Sequence, residues 1–164
     1  MPRRRTTWDE AASPQTNARR RLPAMLAKYV ETGRKLLEGN PPPEQLHALR
    51  LETKRVRYTL ELFASCYGPG LEPRMALLRR IQQRLGDVND CHASRALAAA
   101  KLPARSPYLA RIARFLDARA AGEVEELRRE WQAAFATSEQ TQVWIAYLSR
   151  ARPSRRKRSG HASR

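Results

Sequence analysis

Only two cysteines, Cys66 and Cys91, occur in 164 residues, both in helical stretches and neither beside a partner, which excludes a disulfide framework and fits a reducing compartment. No apolar run approaches the length that spans a bilayer, and MPRRRTTWDEAAS lacks the apolar stretch of a secretory signal, so the cytoplasm is the expected location. No segment alternates with period two for long enough to make a strand. There is no glycine-rich phosphate loop, no nucleophile elbow and no cluster of acids for magnesium. Cys91-His92 with Asp87 and Asp90 offers too few ligands around one turn for a zinc site. These absences point away from an enzyme and from any cofactor or metal, and toward a binding protein.

Acidic residues are also scarce: 16 against 32 basic, a net charge of +16. Such an excess favours a polyanionic partner, but its position matters more than its size. Arg3 to Arg5 and the seven basic residues from Arg150 to Arg164 form tails without a single acid. Residues 6–149 keep a surplus of only about six charges. Basic tails attract almost any polyanion, nucleic acid included, so the body must supply the discrimination.

The body reads as helices. Residues 1–13 are expected to be a flexible basic N-terminus, with Ser13-Pro14 opening a first helix from about Thr16 to Glu38 whose apolar seam is Leu22, Met25, Leu26, Tyr29, Val30, Gly33, Leu36 and Leu37. Gly39-Asn40 and Pro41 to Pro43 separate it from a second helix ending near Tyr67, where Gly68-Pro69-Gly70 stops the chain. A third spans about Glu72 to Ala100, with Gly86 inside it; an internal glycine usually marks close approach of another backbone. Leu102-Pro103 breaks the chain before a fourth helix, about Ser106 to Ala136, and Thr137 to Gln140 has the form of a capping box for a short fifth. The expected fold is all-α, an antiparallel four-helix bundle over residues 14–149 with a short C-terminal helix, and residues 150–164 as a disordered basic tail.

The second helix stands out. His47, Arg50, Lys54 and Arg57 are spaced three, four and three and fall within about 80° on a helical wheel. Leu49, Val56, Leu60 and Phe63 form a buried face, while Leu51, Tyr58 and Leu62 make a third strip that suggests a central helix covered on two sides. The cations recur about every 5–6 Å along the axis. Arginine presents a fork of donors suited to phosphate oxygens and lysine a mobile point charge. Glu61 lies on the same stripe and supports the competing reading, a solvated face with ordinary ion pairs.

His47-x-x-Arg50-x-x-x-Lys54-Arg55-x-Arg57-Tyr58, followed by Leu85-Gly86-x-x-x-Asp90, resembles the CHAD family of helical polyphosphate-binding domains. The likeness covers roughly residues 15–135. It implies a helical bundle whose basic surface binds inorganic polyphosphate, in the cytoplasm or at polyphosphate granules, sometimes beside a triphosphatase-type domain. On this resemblance His47, Arg50, Lys54 and Arg57 form the main binding row, with Tyr58, Gly86 and Asp90 in support. Arg55, off the ridge toward another groove or solvent, and Arg79 and Arg80 of the third helix are expected to assist, although Arg80 points opposite the apolar seam. Asp90 is expected to pair with Arg50 or Arg57 across the Gly86 contact. Family members commonly carry two such units. Here the histidine-led motif occurs once, and its closest echo, Tyr108 to Arg119 with Arg111 and Arg114, lacks the histidine. The chain is then either a single-unit member or one half of a homodimer. The alternative partner is nucleic acid, against which stand the lack of helix-turn-helix spacing and the few exposed aromatics expected among the cations.

Overall fold

The computed structural model describes residues 9–150; the flexible basic segments expected at residues 1–8 and 151–164 lie outside the described residues. Five α-helices follow one another: α1 (Pro14–Glu38), α2 (Pro43–Leu62), α3 (Glu72–Lys101), α4 (Pro107–Phe135) and α5 (Ser138–Ser149), with short 3-10 turns at Ala64–Cys66 and Pro69–Leu71 between α2 and α3. No strand occurs among the described residues. The chain is all-α, as its periodicity implies.

Local chemistry sets the boundaries. The Ser13 hydroxyl accepts from the Thr16 backbone N–H, and Pro14 occupies the first helical position, where its missing N–H costs nothing. Residues 9–13, expected to be flexible, instead fold back on α1. Asn17 is buried and bridges the backbone of Asp9, while Asp9 pairs with Arg20 at 3.2 Å. Gly68, at φ +72°, makes the left-handed turn that ends the α2 region, which breaks earlier than expected, at Leu62. The capping box of α5 is complete: Gln140 N–H donates to the Thr137 hydroxyl, and Thr137 N–H to the Gln140 side chain. Thr137→Ala is expected to lower stability by about 1 kcal/mol, read as a lower urea midpoint with an unchanged slope.

One core runs through the bundle, from Leu22, Leu26 and Tyr29 of α1 through Val56, Ile81 and Leu85 to Trp131 and Phe135 of α4 and Leu148 of α5. Tyr29, Trp131, Phe135 and Trp144 form a chain of tilted ring contacts at 5.0–5.5 Å. Burial pushes the Tyr29 phenol well above its ordinary pKa, an effect its Thr53 hydrogen bond only partly offsets. Thr53 in turn donates to the Leu49 carbonyl. Tyr67 donates to the Leu148 carbonyl and Tyr147 to the Tyr67 carbonyl, which fastens α5 to the bundle. Both cysteines are free and buried.

Two features depart from the sequence reading. Leu51, Tyr58 and Leu62 are exposed, so α2 is apolar on one side only and is not a covered central helix. Second, no residue from 92 to 119 is buried. The end of α3 and the start of α4 therefore form a two-helix arm, alanine-rich and packed mainly helix on helix, with Leu116 reaching the core.

Candidate functional site

A cleft of about 420 Å³ opens between α2 and α3, lined by Arg50, Arg57, Arg79, Gln82, Gln83, Gly86 and Asp90. The spacing explains the set. Arg50 and Arg57 are two turns apart on one face of α2, and Arg79, Gln82, Gln83, Gly86 and Asp90 recur at three and four on the facing side of α3. Three guanidiniums meet one carboxylate.

Arg50 is the unusual member. Its Nε is buried and has no hydrogen-bond partner. A donor left so costs about 1–3 kcal/mol of desolvation. Gly86 lies opposite: a methyl group placed there would find Arg50 Nε at 4.0 Å and nothing nearer. The internal glycine thus marks no backbone contact. It leaves room beside the unpartnered donor.

Arg57 is held from three sides. Its Nε donates to Gln82 Oε1 at 2.9 Å, its Nη1 to Glu61 at 3.1 Å, and its plane sits 4.2 Å from the Tyr58 ring centroid. Only 13% of the side chain is exposed. Accepting from Arg57 orients the Gln82 amide with its NH₂ end as the remaining donor. Lys54 lies over the same Tyr58 ring at 5.6 Å. Arg79 is anchored by Glu72 at 2.6 Å, which pushes its guanidinium pKa further up. His47 stands one turn before Arg50 with Nδ1 2.8 Å from Asn89 Oδ1.

Several expectations are corrected. Asp90 lines the cleft, but no ion pair joins it to Arg50 or Arg57; Arg57 is already engaged by Gln82 and Glu61. Arg80 faces away. It lies 3.9 Å from Glu130 of α4, beside Arg84, which is paired with Glu130, Glu123 and Glu126. One residue on a helix is 100° of rotation, enough to put Arg79 in the cleft and Arg80 on the opposite flank. Arg55 is turned to solvent and meets only Glu52, at 3.7 Å. Gln82 and Asn89 join the site without a charge to announce them; their sole sequence signal is their position three or four residues from Gly86.

Among the described residues no group of His, Cys, Asp or Glu could hold a metal ion, and no helix is long and apolar enough to cross a membrane. The sequence matches the family model of the CHAD domain over residues 3–99, which includes every residue of the cleft. No curated protein and no solved structure matches the chain.

Proposed function

Because the chain belongs to the CHAD domain family, we propose that it binds inorganic polyphosphate in the cleft between α2 and α3, without catalysis. The observation that carries this reading is the buried, partnerless Nε of Arg50, set in a cleft with Arg57 and Arg79. A phosphate oxygen is the acceptor this donor lacks, and a charge-assisted bond to it is stronger than one between neutral groups. Polyphosphate carries negative charge on every unit and has no base to recognise. The lining suits that chemistry through its three guanidiniums and two amides, which outweigh the single carboxylate of Asp90, and it holds no aromatic ring.

Lys54 and His47 continue the row along α2 on either side of Arg50, so a chain rather than a single phosphate suits the surface. His47 Nδ1 is engaged with Asn89 Oδ1 at 2.8 Å, which leaves Nε2 as the ring nitrogen to meet a phosphate. With one basic helix per chain, a second copy extends the surface for longer polymers, the ligand itself screening the repulsion between copies. The working location in this reading is the cytoplasm, at polyphosphate granules.

Competition tests the partner class. With long-chain polyphosphate bound to the full chain at near-physiological salt, single-stranded RNA at equal phosphate concentration should displace little of it. Displacement at equal or lower phosphate concentration would overturn the reading, and metal-dependent release of orthophosphate by the purified protein would overturn its non-catalytic part.

A further inference from the structure

The arm carries a second surface with different chemistry. On α4, Tyr108, Arg111, Phe115 and Arg119 fall within about 80° on a helical wheel. Tyr108 is 68% and Phe115 64% exposed, and both arginines are exposed as well. The exposed aromatics are few, as the sequence suggests, but two of them are gathered on this one stripe. Arg111, Arg114 and Arg119 make no ion pair among the described residues, whereas Arg84, Arg128 and Arg129 nearer the bundle are all paired with glutamates. From Arg95 to Gly122 there are six basic residues and the single acid Asp117, which is already taken by Arg95 at 2.9 Å. Neither α4 nor this stripe lies in the family match, which ends at residue 99.

We infer that this stripe binds single-stranded nucleic acid, its rings stacking on bases and its arginines holding the intervening phosphates. An exposed ring adds nothing toward polyphosphate, because the negative face of its π-system repels an anion. Rings alternating with free arginines instead match a polymer that alternates flat bases with phosphates. Seven residues of helix separate Tyr108 from Phe115, about 10 Å by the axial rise. That is the length of about three stacked nucleotides at ~3.4 Å each. Charge argues against a second copy of this chain as the occupant, since the stripe would then face its own cationic surface without a counter-ion.

The test uses the full chain, a fluorescent 20-nucleotide oligo(U), and the double variant Tyr108→Ala/Phe115→Ala. Both side chains are exposed, so the variant keeps the core. Oligo(U) affinity should fall at least about 10-fold, while affinity for long-chain polyphosphate stays as in the parent. An abasic phosphodiester of the same length should bind the parent about as weakly as oligo(U) binds the variant, and the variant should bind it no worse than the parent does. Unchanged oligo(U) affinity in the double variant would overturn the proposal. So would equal binding of the abasic strand and oligo(U) by the parent. A change in sedimentation without a change in oligo(U) affinity would assign the stripe to contacts between protein molecules and overturn it too.

Discussion

Arg50→Met is expected to weaken long-chain polyphosphate binding by about 10- to 100-fold while leaving the protein as stable as before, or more so. The two effects share one cause. In the free protein the Nε of Arg50 is buried without an acceptor, so the side chain is a liability to the fold. Methionine keeps an unbranched side chain that can fill the space while removing the donors and the charge. Arg50 makes no ion pair among the described residues, so its replacement strands no carboxylate. Binding would be titrated at fixed ionic strength, because basic tails add a salt-dependent background, and stability read from urea unfolding. An affinity equal to the parent's would mean that the tails, rather than the cleft, hold the ligand. A parallel loss of stability would mean that Arg50 is a structural residue.

Gly33→Ala is expected to destabilise the protein by about 1–3 kcal/mol, the range for an overpacked core. In an open helix the same change stabilises by about 1 kcal/mol, so the sign is the test. Gly33 is in α1 and faces Trp131, where a methyl group would overlap indole atoms Cζ2 and Cη2 and come within 2.8 Å of Cε2. The indole has little room to retreat: it is 3% exposed and packed against Tyr29 and Phe135, at 5.0 and 5.2 Å between ring centroids. Trp131→Phe introduced into the alanine variant should recover part of the loss, since it removes the overlapping atoms. Thermal unfolding of the four proteins gives the coupling directly. If Gly33→Ala alone were as stable as the parent, the helix contact would be looser than drawn here.

Gly33 and Gly86, two of the three glycines inside α-helices, show what sequence reading can resolve. Both sit in amphipathic helices, and close approach was assigned to Gly86. The structure puts it at Gly33 instead, because contact depends on which side chain of another helix arrives, and periodicity within one helix does not contain that. The helices themselves were legible, since Ser13-Pro14, Gly68 and the Thr137–Gln140 box act locally. Arg50, Arg57, Arg79, Gly86 and Asp90 were legible as a group because same-face spacing on two facing helices brings them to one cleft. The Asp90 pairing was not, because it turns on side-chain torsions and on Gln82, a neutral residue that a search for charge passes over. Leu51, Tyr58 and Leu62 have the spacing of a buried strip, but no other helix covers them.

The arm formed by residues 92–119 divides the molecule by how its unfolding can be seen. Of the three tryptophans, Trp131 and Trp144 lie in the packed bundle, Trp8 lies outside the described residues, and the arm contains none. Indole fluorescence is therefore blind to whether the arm is folded, whereas far-ultraviolet circular dichroism counts its helix in full. With no fully buried residue and Leu116 as its partly buried contact with the core, the arm can fray at a free-energy cost below that of global unfolding. A midpoint taken from fluorescence alone omits the arm, and the two-state assumption holds for the whole chain only where both signals coincide.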